Sequence, residues 1–249
     1  MKQAFDVYSA YYDLVYQDKN YQAEVNYVDD LLTQHGTDVS KLLEFGSGTG
    51  VHGNLLAECG YQVTGIELSA QMVDQAVISE HFNCLQGDIR NVRLNKIFDA
   101  VISLFHVMSY QISNKDIVAA MESAALHLPV GGLFVFDFWY TAAVYAQKPT
   151  VRVKRMKNES AQITRVAEPR LYPNDNRVDV HYAIDIHDVI SGQYREIEEV
   201  HPIRHFSLPE IDLLAQITGF ERLAAQEFVT GNNPSEDTWG VCVVLRKKK

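Results

Sequence analysis

Five short apolar runs alternate with helical patterns through the first 140 residues, and this alternation limits the possible folds more than any other feature. The helical patterns lie near residues 52–59, 69–79 and 114–128. The apolar runs, each typical of a buried strand, span residues 41–46, 61–67, 82–88, 98–105 and 132–139. Because parallel strands need crossover connections that are usually helices, this order predicts a doubly wound α/β fold with a mostly parallel sheet.

The pattern changes after about residue 150. Four segments there alternate apolar and polar residues with period two, and the turn signals YPNDN and ISGQ punctuate them, which is typical of an antiparallel sheet. A helix follows, with Ser207 as N-cap, Glu210 completing a capping box and Gly219 as the stop. Two last strands end the chain. We therefore expect a seven-stranded core sheet with an antiparallel β insert after the fifth strand.

These boundaries divide the chain into three parts. Residues 1–147 should hold N-terminal helices, one of them from Tyr21 to His35, and the ligand-binding core. Residues 148–206 should form the insert, and residues 207–249 the return helix and the last two strands. The length of 249 residues and the apolar content of 47% suit one substantial domain with such an elaboration.

Composition and charge exclude several classes of partner. The formal net charge of -10 repels phosphate backbones, so we expect no nucleic-acid partner. Cys59, Cys84 and Cys242 lack the spacing of a disulfide framework or a zinc site, which predicts a reducing cytoplasm and no metal. No stretch approaches about 18 uncharged apolar residues, and the N-terminus lacks the apolar region of a signal peptide, so we expect no membrane association.

The segment EFGSGTG joins the first strand to the next helix. Its glycines, Gly46, Gly48 and Gly50, let the backbone turn sharply and approach a ligand where a Cβ would collide. Ligands of open parallel sheets lie beyond the carboxyl ends of the strands, and Glu67 ends the second strand there, where its carboxylate can accept both hydroxyls of a ribose. The spacing G-x-G-x-G departs from the dinucleotide fingerprint G-x-G-x-x-G, which favours a different ribose-bearing ligand.

Two further features stand in register with this turn. Asp88 ends the third strand, where it can accept from an adenine amino group, and LPVGG precedes the fifth strand. Taken in order, EFGSGTG, Glu67, GDI and LPVGG resemble the class I S-adenosylmethionine-dependent methyltransferases over about residues 40–140. The resemblance implies a Rossmann-like fold with S-adenosylmethionine as methyl donor, S-adenosylhomocysteine as product and no metal.

The same resemblance implies cofactor roles for particular residues. The glycine turn would lie against the methionine portion, and Glu44 would order its amino group. Glu67 would bind the ribose, while Asp88 and Ile89 would read the adenine. The other cofactor-binding candidates lie at strand ends or in the following helix: Leu68, Met72, Leu104 and Phe105.

A narrower resemblance spans most of the chain. The segments YYDLVYQDKNYQAE, GDIRNVRLNKIFDAVISLF and RVDVHYAIDIHD…HPIRHFSLPEIDLLAQITGF resemble those of the N-methyltransferases of nucleotide-linked amino sugars. This implies that Tyr12 and Tyr21 close over the cofactor, with Tyr12 also a catalytic candidate. It further implies that a small-molecule acceptor, with a dTDP-linked amino sugar as the leading candidate, lies between the core and the insert, which would serve as a lid or as the face of a homodimer.

Two catalytic candidates follow the fourth strand. His106 comes directly after the strand end where the methyl group is expected and is the preferred general base, while Tyr110 stands where the resembling enzymes carry a histidine. An amine acceptor needs no enzymic base if it is unprotonated and aligned. The acceptor-facing candidates are polar and aromatic residues of the core and the insert: Trp139, Tyr140, Arg165, His181, Arg204 and Trp239.

The class I signature identifies the donor and leaves the acceptor open. A second enzyme hypothesis keeps the donor but methylates a hydroxyl or carboxylate of a metabolite or polysaccharide precursor. A different class is a partner subunit that binds the cofactor without turnover. An NAD-dependent oxidoreductase is the remaining alternative.

Overall fold

The computed structural model describes residues 18–248, which cluster into two compact units. Residues 20–147 and 205–248 form the first, called the core unit below. Residues 18, 19 and 148–204 form the second, the insert unit. Within these described residues, no helix is both long and apolar enough to cross a lipid bilayer.

Seven strands make up the sheet of the core unit: β1 (Lys41–Phe45), β2 (Gln62–Glu67), β3 (Phe82–Gln86), β4 (Ala100–Ser103), β5 (Leu133–Tyr140), β10 (Phe220–Glu227) and β11 (Gly240–Lys247). Their order is β3-β2-β1-β4-β5-β11-β10. The first five are parallel, and β11 runs antiparallel to its two neighbours. Because β1 pairs with both β2 and β4, the strand order reverses there, and the carboxyl end of β1 is the switch point at which such sheets bind ligands.

Helices connect the strands as the sequence predicts. The core unit contains α1 (Tyr21–His35), α2 (Val51–Glu58), α3 (Ala70–Gln75), α4 (Asn114–Leu126), α5 (Thr141–Gln147) and α6 (Leu208–Ile217). Serine side chains cap three of them: Ser69, Ser113 and Ser207 each accept a hydrogen bond from the backbone N–H three residues on. A cap of this kind stabilises a helix by about 1 kcal/mol, so a serine at this position helps to predict where a helix begins.

The helix α3 is shorter than predicted. The pattern predicts a helix over residues 69–79, but Ala76 already has extended backbone, with φ -63° and ψ 128°. The side chain of Asn54 donates to the carbonyl of Val77 at 2.7 Å, so this peptide finds its partner outside the helix. Val77 and Ile78 are exposed, so their apolar character does not extend a buried helical face.

Apolar clusters cover both faces of the core sheet. Alternate residues of β5 show the division, because Phe134, Phe136 and Phe138 join one cluster while Leu133 and Val135 join the other. Burying one such side chain stabilises the fold by roughly 1.5–3 kcal/mol. A parallel sheet covered on both faces is the predicted architecture, and the prediction is confirmed.

The insert unit is an antiparallel sheet of four strands. They are β6 (Arg152–Lys157), β7 (Ala161–Tyr172), β8 (Arg177–Asp188) and β9 (Tyr194–Phe206), paired in that order. One face is buried through Val178, Val180, Ile184 and Ile186 of β8, which have the even-numbered periodicity seen in the sequence.

The strand β9 contributes to both units. Its residues up to Arg204 pair with β8, whereas His205 and Phe206 pair in parallel with Trp139 and Tyr140 of β5. The predicted seven strands are those of the core unit, and the antiparallel insert after the fifth strand has four.

Candidate active site

The turn after β1 holds its three glycines in left-handed backbone. Their φ angles are +71° at Gly46, +56° at Gly48 and +84° at Gly50, a conformation that costs other L-residues roughly 1–2 kcal/mol. Within the part of the chain that the structure describes, the atom nearest to a Cβ added at Gly48 would be Met72 Sδ, at 4.0 Å. The backbone of Gly48 therefore faces open space and can be approached closely by a ligand.

The outer glycines have a packing role. A Cβ at Gly46 would lie 2.4 Å from Val107 Cγ2, and one at Gly50 would lie 2.5 Å from the ring of Phe82. The same ring would be 2.2 Å from a Cβ at Gly53, in α2. Protein atoms therefore fill the space beside the Cα of each outer glycine, whereas the corresponding space at Gly48 is open.

Glu67 ties the glycine turn to the end of β2. Its Oε2 accepts from the Gly48 N–H at 3.0 Å, and its Oε1 accepts from the Ser69 N–H at 2.8 Å. Burial raises the pKa of this carboxyl group above its ordinary value, while the two backbone donors counteract part of that rise. Each carboxylate oxygen keeps a further lone pair, so Glu67 can accept ligand hydroxyls while it holds the turn.

Glu44 presents a buried carboxyl group at the same end of β1. It is 1% exposed, and its Oε2 has no hydrogen-bond partner among residues 18–248. Burial raises the pKa of Glu44 to about 8, and the nearby carboxylate of Glu67 adds to the rise. A buried acceptor without a partner is unfavourable, and a cationic group on a ligand would satisfy it. This arrangement fits the amino group of S-adenosylmethionine.

Asp88, predicted to read adenine, is already engaged by Arg90. Its Oδ1 accepts from the Arg90 backbone N–H and from Nε, both at 2.9 Å, and the hydrogen bond from the Arg90 side chain is the largest cause that lowers the pKa of Asp88. Arg90 also reaches Asp116 at 3.3 Å. Contact with adenine would require Asp88 to share its oxygens, which the sequence prediction did not include. The D-x-R spacing of Asp88 and Arg90 in the sequence was the signal from which this ion pair could have been predicted.

The other predicted cofactor residues differ in exposure. Ile89, Met72 and Leu104 are buried, at 8%, 4% and 2% exposure, whereas Leu68 is 47% exposed. Of these four residues, Met72 is the one that borders the open space at Gly48, where its Sδ lies 4.0 Å from the position of an added Cβ.

Tyr21, at the start of α1, packs edge-on against His52 with a centroid distance of 5.0 Å. His52 lies in the first turn of α2, and its Nε2 is 2.7 Å from Glu24 Oε2. Tyr21 is thereby held against the helix that follows the glycine turn. The other predicted tyrosine, Tyr12, lies outside the described residues.

Two consecutive residues that follow the end of β4 have left-handed backbone. Phe105 and His106 both have φ +63°, and the strand ends at Ser103, two residues before its predicted end. Asp137 of β5, fully buried, meets this bend: its Oδ1 accepts from the His106 backbone N–H at 3.0 Å, and its Oδ2 lies 2.6 Å from His106 Nδ1. Asp137 was not among the predicted residues, although an acid inside the apolar run GLFVFDFW was a visible signal.

Aromatic rings extend from His106 along the end of the core sheet. The His106 ring stacks on Phe105 at 5.7 Å and meets Trp139 edge-on at 6.3 Å. Trp139 meets Trp239 edge-on at 5.7 Å, and the indole N–H of Trp239 donates to Gln147 Oε1 at 2.7 Å. The structure thus brings together three predicted residues: His106, Trp139 and Trp239.

Tyr140 and Tyr110 are two further predicted residues of the core unit. Tyr140 packs against the cluster that contains Phe134, Phe136 and Phe138, because strand alternation places it on the face opposite Trp139. Trp139 and Tyr140 therefore present their side chains to opposite faces of β5. Tyr110 ends a short 3₁₀ helix at residues 107–110 and is partly buried.

The candidates in the insert unit occupy both faces of its sheet. Arg165 pairs in register with Ile184 and lies over the ring of Tyr182 at 5.1 Å. His181 is odd-numbered on the same strand and points to the other face. Arg204 pairs with Arg177 in register, which places it on the face of His181. Arg165 therefore lies on one face of this sheet, and His181 and Arg204 lie on the other.

The site contains no cluster suited to a metal. Among residues 18–248, no group of three or more His, Cys, Asp or Glu side chains could hold an ion, and the three cysteines are free.

Comparison with known proteins identifies the family. Residues 42–132 match the family described as Methyltransferase domain. Over 204 residues the chain is 30% identical to the dTDP-3-amino-3,4,6-trideoxy-alpha-D-glucopyranose N,N-dimethyltransferase of Streptomyces venezuelae, covering 81% of this chain and 84% of that protein. The chain belongs to the class I S-adenosylmethionine-dependent methyltransferases.

Two further comparisons agree with this assignment. The methyltransferase is 29% identical over 202 residues to the dTDP-3-amino-3,6-dideoxy-alpha-D-glucopyranose N,N-dimethyltransferase of Streptomyces fradiae, covering 79% of this chain and 76% of that protein. The X-ray structure of a sugar N-methyltransferase from Streptoalloteichus superposes with a TM-score of 0.84 at 21% identity, covering 100% and 96% of the two chains, which shows the shared fold. The methyl donor is S-adenosylmethionine, and the acceptor is a small molecule.

Proposed function

We propose that this methyltransferase transfers a methyl group to the nitrogen of a nucleotide-linked amino sugar. The observation that carries the proposal is the grouping of His106 with Trp139 and Trp239 in the core unit. Indole faces attract ammonium groups through their negative quadrupole, and the imidazole beside them can accept a proton. The named activities of the two Streptomyces relatives, both on dTDP-linked amino sugars, support the same acceptor class.

The residues around the glycine turn would hold the donor. Glu44 would bind its amino group, the open backbone of Gly48 would lie against it, and Glu67 would bind its ribose. Asp88 and Ile89 would contact the adenine. The further residues proposed to line the donor are Tyr12, Tyr21, Gly46, Gly50, Leu68, Met72, Leu104 and Phe105. When bound, S-adenosylmethionine supplies an electrophilic methyl group on a sulfonium.

The chain's own contribution to transfer is alignment and proton acceptance. Methyl transfer is an in-line displacement, so positioning of the acceptor nitrogen provides much of the acceleration. His106 would take the proton that the nitrogen sheds. Tyr12 and Tyr110 remain catalytic candidates, and Tyr140, Arg165, His181 and Arg204 remain acceptor candidates in this proposal.

Residues 148–206 are proposed to serve as an acceptor lid or as the face of a homodimer. Light scattering during size-exclusion chromatography tests the second role, because a homodimer would have twice the chain mass of 28.2 kDa. A cytoplasmic location is also proposed, supported by the three free cysteines, since disulfides are common in oxidising compartments.

A labelled-methyl assay tests the acceptor. The protein is incubated with labelled S-adenosylmethionine and a matched set of dTDP-linked sugars that differ only in carrying an amino or a hydroxyl group. Label on the amino sugar alone is the expected result, and mass spectrometry of the product counts the methyl groups.

Other outcomes contradict the proposal in distinguishable ways. Label on the hydroxyl sugar would favour O-methylation. No label on any acceptor, together with tight binding of S-adenosylhomocysteine in calorimetry, would favour a partner subunit without turnover. Tight binding of NADH in place of S-adenosylhomocysteine would contradict both the donor and the family roles given to the glycine turn.

A further inference from the structure

Asp137 is an acidic residue in the otherwise apolar strand β5, whose first six residues are all buried. Its side chain is 0% exposed, whereas the His106 side chain beside it is 26% exposed. A buried carboxylate is maintained only where donors compensate for its lost hydration. Both of its oxygens approach one residue, through the backbone N–H of His106 at 3.0 Å and through Nδ1 at 2.6 Å. Asp137 thus holds the backbone and the ring of His106 together.

The backbone around this contact is strained. Phe105 and His106 are consecutive non-glycine residues at φ +63°, and left-handed backbone in such residues concentrates at functional sites, where the surrounding structure must hold it. The ring is also fixed on its faces and edge by Phe105 at 5.7 Å and by Trp139 at 6.3 Å. These contacts hold the imidazole with its Nδ1 2.6 Å from the buried carboxylate.

This orientation determines which ring nitrogen is basic. A carboxylate can only accept hydrogen bonds, so the neutral imidazole beside it carries its proton on Nδ1 and its lone pair on Nε2. We propose that Asp137 is a positioning residue that sets this tautomer of His106, so that Nε2 accepts the proton of the acceptor. The inference deepens the proposed function and rests on it for the identity of the reaction.

The proton transfer completes the chemistry. The lone pair of the acceptor nitrogen forms the bond to the methyl carbon, and the electron pair of the breaking C–S bond stays on sulfur. The proton that the methylated nitrogen then sheds moves to Nε2 of His106, and the resulting imidazolium is stabilised by the Asp137 carboxylate. Loss of that proton restores a lone pair to the nitrogen, as a second methylation of the same atom requires.

The substitution Asp137→Asn tests the assignment. Its amide oxygen can still accept from the His106 backbone N–H, but its NH₂ group presents a donor to Nδ1 and should reverse the tautomer. We expect ¹⁵N NMR of the wild-type protein to show a protonated Nδ1 and an unprotonated Nε2 at His106, and the variant to show the opposite. The kcat for the amino sugar should fall roughly 10²- to 10⁴-fold, with the affinity for S-adenosylhomocysteine unchanged.

Two further variants complete the experiment. Asp30→Asn, an exposed aspartate in α1, is the matched control and should leave kcat and the His106 resonances unchanged. His106→Gln assigns those resonances and should lower kcat by a similar factor, and the double variant with Asp137→Asn should lose little more, because the two residues act as one unit.

The result that would overturn the inference is a wild-type His106 protonated on Nε2, or an Asp137→Asn variant that is folded and retains kcat within about twofold. If that variant does not fold, the wild-type tautomer decides the question. The NMR measurement needs no acceptor, so a protonated Nδ1 combined with inactivity on amino sugars would reject the proposed function and leave the positioning role of Asp137 intact.

Discussion

Replacing Glu67 with alanine separates its structural role from its binding role. The change removes the acceptors of the Gly48 and Ser69 N–H groups, at 3.0 and 2.8 Å. Leaving a buried donor unsatisfied costs about 1–3 kcal/mol, and because the site is partly open to water we expect a loss of this size for both donors together. Thermal or urea unfolding measures it.

The binding role adds a separate loss. A hydrogen bond to a charged group contributes about 1.5–3 kcal/mol, so losing the carboxylate's bonds to a ribose should weaken S-adenosylhomocysteine binding by roughly 1–3 kcal/mol, or about 5- to 150-fold in Kd. Calorimetric titration of the folded variant measures this. The control is Glu58→Ala, which makes the same charge change at an exposed residue of α2. If Glu67→Ala loses stability as expected but binds the ligand with unchanged Kd, Glu67 does not contact the ribose.

Two further predictions concern the same end of the sheet. Because the pKa of Glu44 is raised to about 8, an ammonium group bound to it should lower that pKa and release a proton. Affinity for S-adenosylmethionine should therefore rise with pH up to about 8. The heat of binding should depend on the ionisation enthalpy of the buffer in the wild-type protein, and less so in Glu44→Gln. An equal dependence in both proteins would reject the contact between Glu44 and the ammonium group. Gly48→Ala should weaken cofactor binding and should lower the free energy of unfolding by about 1–2 kcal/mol, because alanine is unfavourable in left-handed backbone. Gly50→Ala should lower the melting temperature more than Gly48→Ala does, because its Cβ would also lie 2.5 Å from Phe82. Equal melting temperatures of the two variants would contradict this reasoning.

The sequence predicts the parts of the fold that depend on local patterns. The helix from Tyr21 to His35 has the predicted bounds, and the insert has the predicted four antiparallel strands, because periodicity, caps and turn residues act over a few neighbouring positions. The same holds for Glu67, whose place at the end of β2 follows from the length of one apolar run.

The features that sequence reasoning missed depend on contacts between distant segments. The pairing of His106 with Asp137 spans 31 residues and requires the register of β4 beside β5, which no local pattern reveals. Likewise, the shortened α3 reflects a hydrogen bond from Asn54 to Val77. The different roles of the glycines in the turn follow from the positions of Val107 and of Phe82 on β3, both distant in the sequence.

That ring, Phe82, has a consequence for how this family can change. It occupies the space in which a side chain at Gly50 or at Gly53 would lie, so neither glycine can be replaced while the phenyl group stays. A lineage must first shrink residue 82, leaving a temporary void, before a larger residue fits at Gly50, and at Gly53 a Cβ would also lie 2.7 Å from Glu44 Oε2. Substitutions at these three sites should therefore be inherited in a fixed order, and an apparently invariant glycine here reports on its aromatic neighbour as much as on catalysis.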